Sequence, residues 1–347
     1  MKKFYFLELL RFFSSISVLL FHYRHFFYPY NTFSQNEYSL IKNELPFNNL
    51  LEVFFDFGIY GVHVFYAISG FVFAHVYLLS KEKSSFKDFF INRFARLYPL
   101  HFATLILVTF LQFVNLVNFD TFQVIQFNDL YHFFLQIFFI SAWGLENGHS
   151  FNGPIWSVSI EIAIYLFFFI ILTHLRKWKI YLTMSICLIF LLINKITIYE
   201  SLFIECIRLF FSGVLIYLLC DFKKFNNYLI FTSILLIILS LIGNFKTYIF
   251  CPSIVLLFVS LDNISQKIKF RERFQIFGNL TYALYLLHFP FQLIIIFIVK
   301  YLNISFSIMI NPYSFFLYFL SLFIIAHYCF KLYEKPLNKK IRLMYKN

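Results

Sequence analysis

Runs of about 20 predominantly apolar residues, the length an α-helix needs to cross about 30 Å of hydrocarbon, recur along almost the whole chain. Ten can be placed, at 4–27, 53–79, 97–118, 154–175, 180–194, 201–220, 228–243, 248–262, 276–299 and 313–333. Residues 129–143 are also apolar but too short to span. No water-soluble fold can bury so many such runs. Of the 347 residues, 61% are hydrophobic and 13% charged, against about 45–50% and about 25% in soluble domains. The pattern specifies an all-α polytopic membrane helix bundle of about ten transmembrane helices.

Charge sets its orientation. If 129–143 does not cross, both termini and the loops at 80–96, 176–179, 221–227 and 263–275 share one side and hold 22 of the 29 basic residues. The other side holds five. Counting 129–143 as a crossing would carry RKWK (176–179) and KIKFRER (267–273) outward, against the positive-inside bias. Both termini are therefore expected in the cytoplasm. The net charge of +12 reads as topology rather than as a nucleic-acid surface, and the bilayer is the first partner. Loops between spans are short, so the chain reads as a single transmembrane domain over 1–347 with no fused soluble domain. The N-terminal run is too long for a secretory signal and no small-x-small cleavage site follows it. The five cysteines lie in or beside apolar stretches without CxxC spacing, so neither disulfides nor a metal site is expected.

Ionisable groups inside lipid cost several kcal/mol or more unless paired or functional. They are Glu8, Arg11, His22, Asp56, His63, His75, Glu161, Glu205, Arg208, His288 and His327. Pairing that staples helices accounts for Glu8, Asp56, His75, Glu205 and His327. Depth singles out others. At 1.5 Å rise per residue, His22 lies about 7 Å and Glu161 about 10 Å below the outer end of their helices. A carboxylate at that depth would orient an imidazole and stabilise its charged form, making it a general base or nucleophile. His288 falls near mid-membrane. At the opposite end, Lys87, Arg93 and Arg96 gather where the third span begins. Arg93 and Arg96 share a helical face, which suits either a phosphate-bearing cytosolic ligand or ordinary positive-inside anchoring. P-loop, GxGxxG, HExxH and GxSxG motifs are all missing, which leaves nucleotide hydrolysis, dinucleotide chemistry, zinc proteolysis and α/β-hydrolase chemistry without support. Buried His, Glu and Arg would also fit a transporter or flippase, although no inverted repeat or paired interrupted helices stand out.

The ordered segments FLELLRFFSSISVLLFHY (6–23), YGVHVFYAISGFVFAHVY (60–77), FFINRFARLYPLHFATL (89–105), NGPIWSVSIEIAIYLFF (152–168), RLFFSGVLIY (208–217), LTYALYLLHFPF (280–291) and YEKP (333–336) resemble the motif series of the acyltransferase 3 family. These are bacterial integral-membrane O-acyltransferases of the inner membrane. The resemblance implies that His22 and Glu161 are the catalytic pair. It implies that Arg93, Arg96 and Lys87 hold the phosphates of an acyl-CoA co-substrate, acetyl-CoA by the family's habit, with no metal. It places Arg11, Ser69, Trp156, Ser159, Arg208 and His288 along the substrate path or in support of it. The family has two arginines with three residues between them at the third helix, and here those positions are Asn92 and Arg96, with Arg93 adjacent. The implied acceptor is a hydroxyl of a cell-surface glycan or its lipid-linked precursor. His22 as general base and His22 as covalent acyl carrier both remain open.

Overall fold

The computed structural model describes residues 3–27, 41–78, 85–196, 202–220, 226–243 and 246–345. Lys81, Lys83 and most of the 28–52 loop lie outside the described residues. Among the described residues twelve helices of eight residues or more follow in order: α1 (Tyr5–Tyr23), α2 (Asn48–Phe57), α3 (Tyr60–Phe73), α4 (Phe86–Phe119), α5 (Leu130–Ile137), α6 (Ile155–Ile196), α7 (Leu202–Cys220), α8 (Asn226–Ile242), α9 (Cys251–Ile264), α10 (Gln275–Tyr301), α11 (Pro312–Cys329) and α12 (Lys335–Met344). Among the described residues seven helical stretches are long and apolar enough to cross a membrane, and Asn227–Ile242 and Tyr248–Ile264 are shorter apolar helices. The chain is an all-α, multi-pass membrane protein.

The ten apolar runs map onto these helices with one merger. α6 is 42 residues long, about 63 Å at helical rise and twice a bilayer core. It is broken at Lys179, whose backbone leaves helical geometry, so the expected spans 154–175 and 180–194 are its two arms. Helix α5, inside the run 129–143, has only eight residues, about 12 Å, which is too short to span.

The chain divides into two compact units. The first comprises Met1–Ile16, Ile59–Phe86 and Ile160–Asn279. Its core is a close crossing of α3 and α7. A Cβ added at Gly70 would lie 1.7 Å from the Phe210 carbonyl oxygen, and one added at Gly213 would lie 1.9 Å from that of Ala67. Two backbones meet there with no side chain between them, the small-residue packing that lets membrane helices associate without a hydrophobic drive. The free amides of Tyr5 and Leu7 at the start of α1 donate to the Asp262 carboxylate at 2.8 and 3.0 Å, which caps the helix. Arg176 donates to the Tyr77 carbonyl at 2.9 Å and so satisfies the turn that ends the second span.

The second unit comprises Ser17–Gly58, Lys87–Ser159 and Leu280–Asn347. Its loop 120–153 is held by Asp129, which caps α5 through the His132 amide at 2.9 Å and meets the His132 ring at 2.7 Å. The amide of Asn147 donates to the other nitrogen of that ring at 3.2 Å, so His132 is a satisfied structural histidine. Its backbone amide holds the Asp129 carboxyl below the usual carboxylate range.

Candidate functional site

In the second unit α10 carries Pro290 inside the helix. Proline supplies no N–H, so the carbonyl four residues earlier, on Leu286, loses its helical partner. The buried Asn152 amide replaces that donor at 3.2 Å and also donates to Thr104 Oγ1 at 3.1 Å. The NGP and LHFP motifs therefore meet through a backbone vacancy that one creates and the other fills. His288, two residues before the proline, is fully buried.

His22 occupies the last turn of α1, and its Nδ1 lies 2.8 Å from Nε2 of His288. Gln292 donates to the His22 carbonyl at 2.8 Å, which ties the end of α1 to α10 one turn beyond His288. A third imidazole joins them. His25, on the 3-10 turn after α1, stacks on His22 with ring centroids 4.9 Å apart. His149, from the loop before α6, lies within electrostatic reach of both, and burial holds its ring below the ordinary imidazole range. Its ring is 6.1 Å from that of Trp156. Neither His25 nor His149 was singled out from the sequence. A spacing of three residues after His22, inside the apolar run 4–27, was the available signal for His25.

The WSVS segment supports rather than lines this arrangement. Ser157 shares a 2.7 Å hydrogen bond with the Tyr285 hydroxyl, which also donates to the Pro154 carbonyl at 3.1 Å. Ser159 donates to the Phe139 carbonyl at 2.7 Å and accepts from the Ala142 amide. Trp143 in turn donates to the Ser159 carbonyl.

Glu161 and Ser69 belong to the first unit. The Ser69 hydroxyl donates to Glu161 Oε1 at 2.5 Å, and the Tyr165 hydroxyl donates to the same oxygen. Tyr165 is itself stacked on Phe73 at 4.0 Å. The hydrogen-bond partners of Glu161 are thus hydroxyls, and that of the His22 ring is His288. Arg11 pairs with Glu8 at 3.1 Å. Arg208 pairs with Glu205 at 3.6 Å and lies over the Tyr248 ring at 4.1 Å.

Lys87, Arg93 and Arg96 all lie on the first turns of α4, in the second unit with His22 and His288. Lys87 is exposed, and the two arginines are half-buried. Arg96 is close enough for its charge to act on the buried Glu334 carboxyl of the YEKP segment.

The family model described as an acyltransferase domain, that of acyltransferase 3, matches residues 4–330. Comparisons with curated proteins and with solved structures returned no match. The matched stretch includes every residue expected at the site and all but the end of the last span, and the chain belongs to the acyltransferase 3 family.

Proposed function

We propose that this membrane acyltransferase moves an acyl group, acetyl first among the candidates, from cytosolic acyl-CoA to a hydroxyl of a cell-surface glycan or its lipid-linked precursor in the bacterial inner membrane. The observation that carries the reading is the His22–His288 hydrogen bond at the outer end of α1. A donated Nδ1–H from His22 to His288 fixes the His22 tautomer and leaves its Nε2 lone pair free to accept a proton.

In this reaction the acceptor hydroxyl gives its proton to His22 Nε2 as its oxygen attacks the thioester carbonyl. The carbon–sulfur bond breaks and the CoA thiolate takes that proton, which leaves the ester and restores His22. His288 shares the positive charge that His22 carries in between. Lys87, Arg93 and Arg96 hold the donor's phosphates by charge-assisted contacts. Family membership supports acyl transfer over transport.

The test is mass spectrometry of surface glycans from cells lacking the protein, re-expressing wild type or His22→Ala. The expected result is a fixed acyl mass restored by wild type alone. Acyl transfer undiminished in His22→Ala would refute the mechanism.

A further inference from the structure

The C-terminal segment lies beyond the family match, which ends at residue 330. The last span does not end where its apolar run does. A π-helical turn, Phe330–Glu334, joins α11 directly to α12. Along this continuous helix Phe330, Glu334, Asn338 and Arg342 recur every four residues, with Lys335 and Lys339 beside them, so all six share one face. They line a cleft of about 320 Å³. A second cleft of about 390 Å³ adjoins it through the shared Lys339 and is lined also by Pro336, Lys340, Leu343 and Met344.

The first lining set has a specific chemistry. Lys335, Lys339 and Arg342 are exposed, and no ion pair among the described residues neutralises them. Phe330 offers a half-buried ring. Glu334 is 9% exposed, and its Oε2 is buried with no hydrogen-bond partner. A buried polar oxygen without a partner costs free energy, and a phosphate alone would aggravate the cost because it brings only acceptors. The missing donor suits an amine or a hydroxyl. A ligand carrying a stackable ring, N–H or O–H donors and phosphates satisfies all six residues together, and a nucleoside phosphate has all three. The position agrees. Arg96, already assigned to the donor's phosphates, acts on the same Glu334, and Tyr333, next to it, donates to the Pro99 carbonyl of α4 at 3.1 Å.

We propose that this cleft is the nucleotide end of the acyl-donor site, with Phe330 against the adenine, Glu334 and Asn338 on its amine or the ribose, and Lys335, Lys339 and Arg342 on the phosphates. The proposal rests on the reading of acyl-CoA as donor. A 320 Å³ cleft lies at the lower end of the range of small-molecule sites, about 300–1,000 Å³, which fits one end of a long co-substrate.

The test uses the full-length protein in nanodiscs of neutral lipid and of mixed neutral and anionic lipid. Wild type and Lys339→Ala/Arg342→Ala are compared with acyl-CoA and with acyl-pantetheine, which lacks the nucleotide. Both substituted residues are exposed, and a thermal melt matching wild type verifies the fold. Loss of two charge-assisted contacts is expected to raise KM for acyl-CoA about tenfold or more, with kcat and the KM for acyl-pantetheine unchanged, in both lipid mixtures. An unchanged KM for acyl-CoA overturns the proposal and leaves the function standing. So does a shift confined to anionic discs, which would assign the cations to lipid headgroups. If wild type transfers nothing from acyl-CoA, binding of adenosine 3′,5′-bisphosphate decides separately. Saturable binding that the double variant loses upholds a nucleotide cleft although the donor reading fails, and no binding overturns both.

Discussion

Two buried polar clusters within the membrane-spanning helices are built on opposite principles. In the second unit His22 and His288 form a hydrogen-bonded pair of like groups, with His25 stacked alongside. In the first unit Glu205, Arg208 and His63 form a mixed-charge cluster, with Arg208 also over Tyr248. An imidazole pair can take up or release a proton while keeping its contacts, because each ring carries both a donor and an acceptor. An Arg–Glu pair loses its partner if the carboxylate is neutralised, and the guanidinium does not titrate. The first kind of cluster suits turnover and the second suits fixing three helices, so buried charge alone did not distinguish them. The partner type did.

Substitutions can break that contrast at either end. The largest effect is expected for His22→Ala, which should lower kcat about 100- to 10,000-fold, the range for a general base, while the thermal melt stays near wild type. Glu205→Gln should do the reverse. It leaves a buried guanidinium uncompensated, a loss of about 3–5 kcal/mol visible as a lowered melting temperature in detergent, whereas the folded fraction turns over normally. If Glu205→Gln instead abolishes turnover without loss of stability, the division of roles is wrong.

A smaller change sharpens the comparison inside the second unit. Asn152→Ala removes the donor that satisfies the carbonyl left open by Pro290 and should cost about 1–3 kcal/mol, with a fall in kcat as His288 loses its fixed position. Asn152→Ala/Pro290→Ala should regain part of the stability, since alanine at 290 restores the helical donor. The smallest effect concerns Glu146, whose carboxyl burial pushes from 4.5 up to about 7. Because the folded chain keeps this proton longer than the unfolded chain, the stability it contributes is complete below about pH 4.5 and is lost as pH rises through about 7. Glu146→Gln should flatten the pH dependence of unfolding across that interval.

The spans were legible because a helix in lipid must satisfy its own backbone and present apolar side chains throughout, and that constraint leaves a mark at every residue. That Glu8 and Asp56 are paired was readable for a similar reason, since unpaired charge is too costly, but not their partners Arg11, on the same helix, and Lys42. His22 and Glu161 could be chosen by depth, and Ser69 by motif, but their partners could not. The ring that meets His22 is 266 residues away in the chain, and of the two hydroxyls that meet Glu161 only Tyr165 lies one turn on, Ser69 being 92 away. No local period records the two distant pairings. Ser159, expected on the substrate path or supporting it, turned out to hold the turn at Phe139 and Ala142. The cap of α1 by Asp262 and the cleft around Glu334 were missed for the same reason: Asp262 was read as the last residue of a span and Glu334 as the first beyond one. Merger of two expected spans into α6 reflects a helix that bends at Lys179 without ending in a loop.

The Gly70–Gly213 crossing also has a bearing on how the protein is made. α3 leaves the ribosome roughly 140 residues before α7, which at about 5–20 residues per second is about 7–28 s. During that interval the polar and small residues of α3, among them His63, Ser69 and Gly70, have no α7 to pack against. Lipid cannot fill a groove shaped for a backbone, and a nascent chain arrested before Leu202 should therefore be retained by the insertion machinery or degraded. Assembly of the first unit waits on α7.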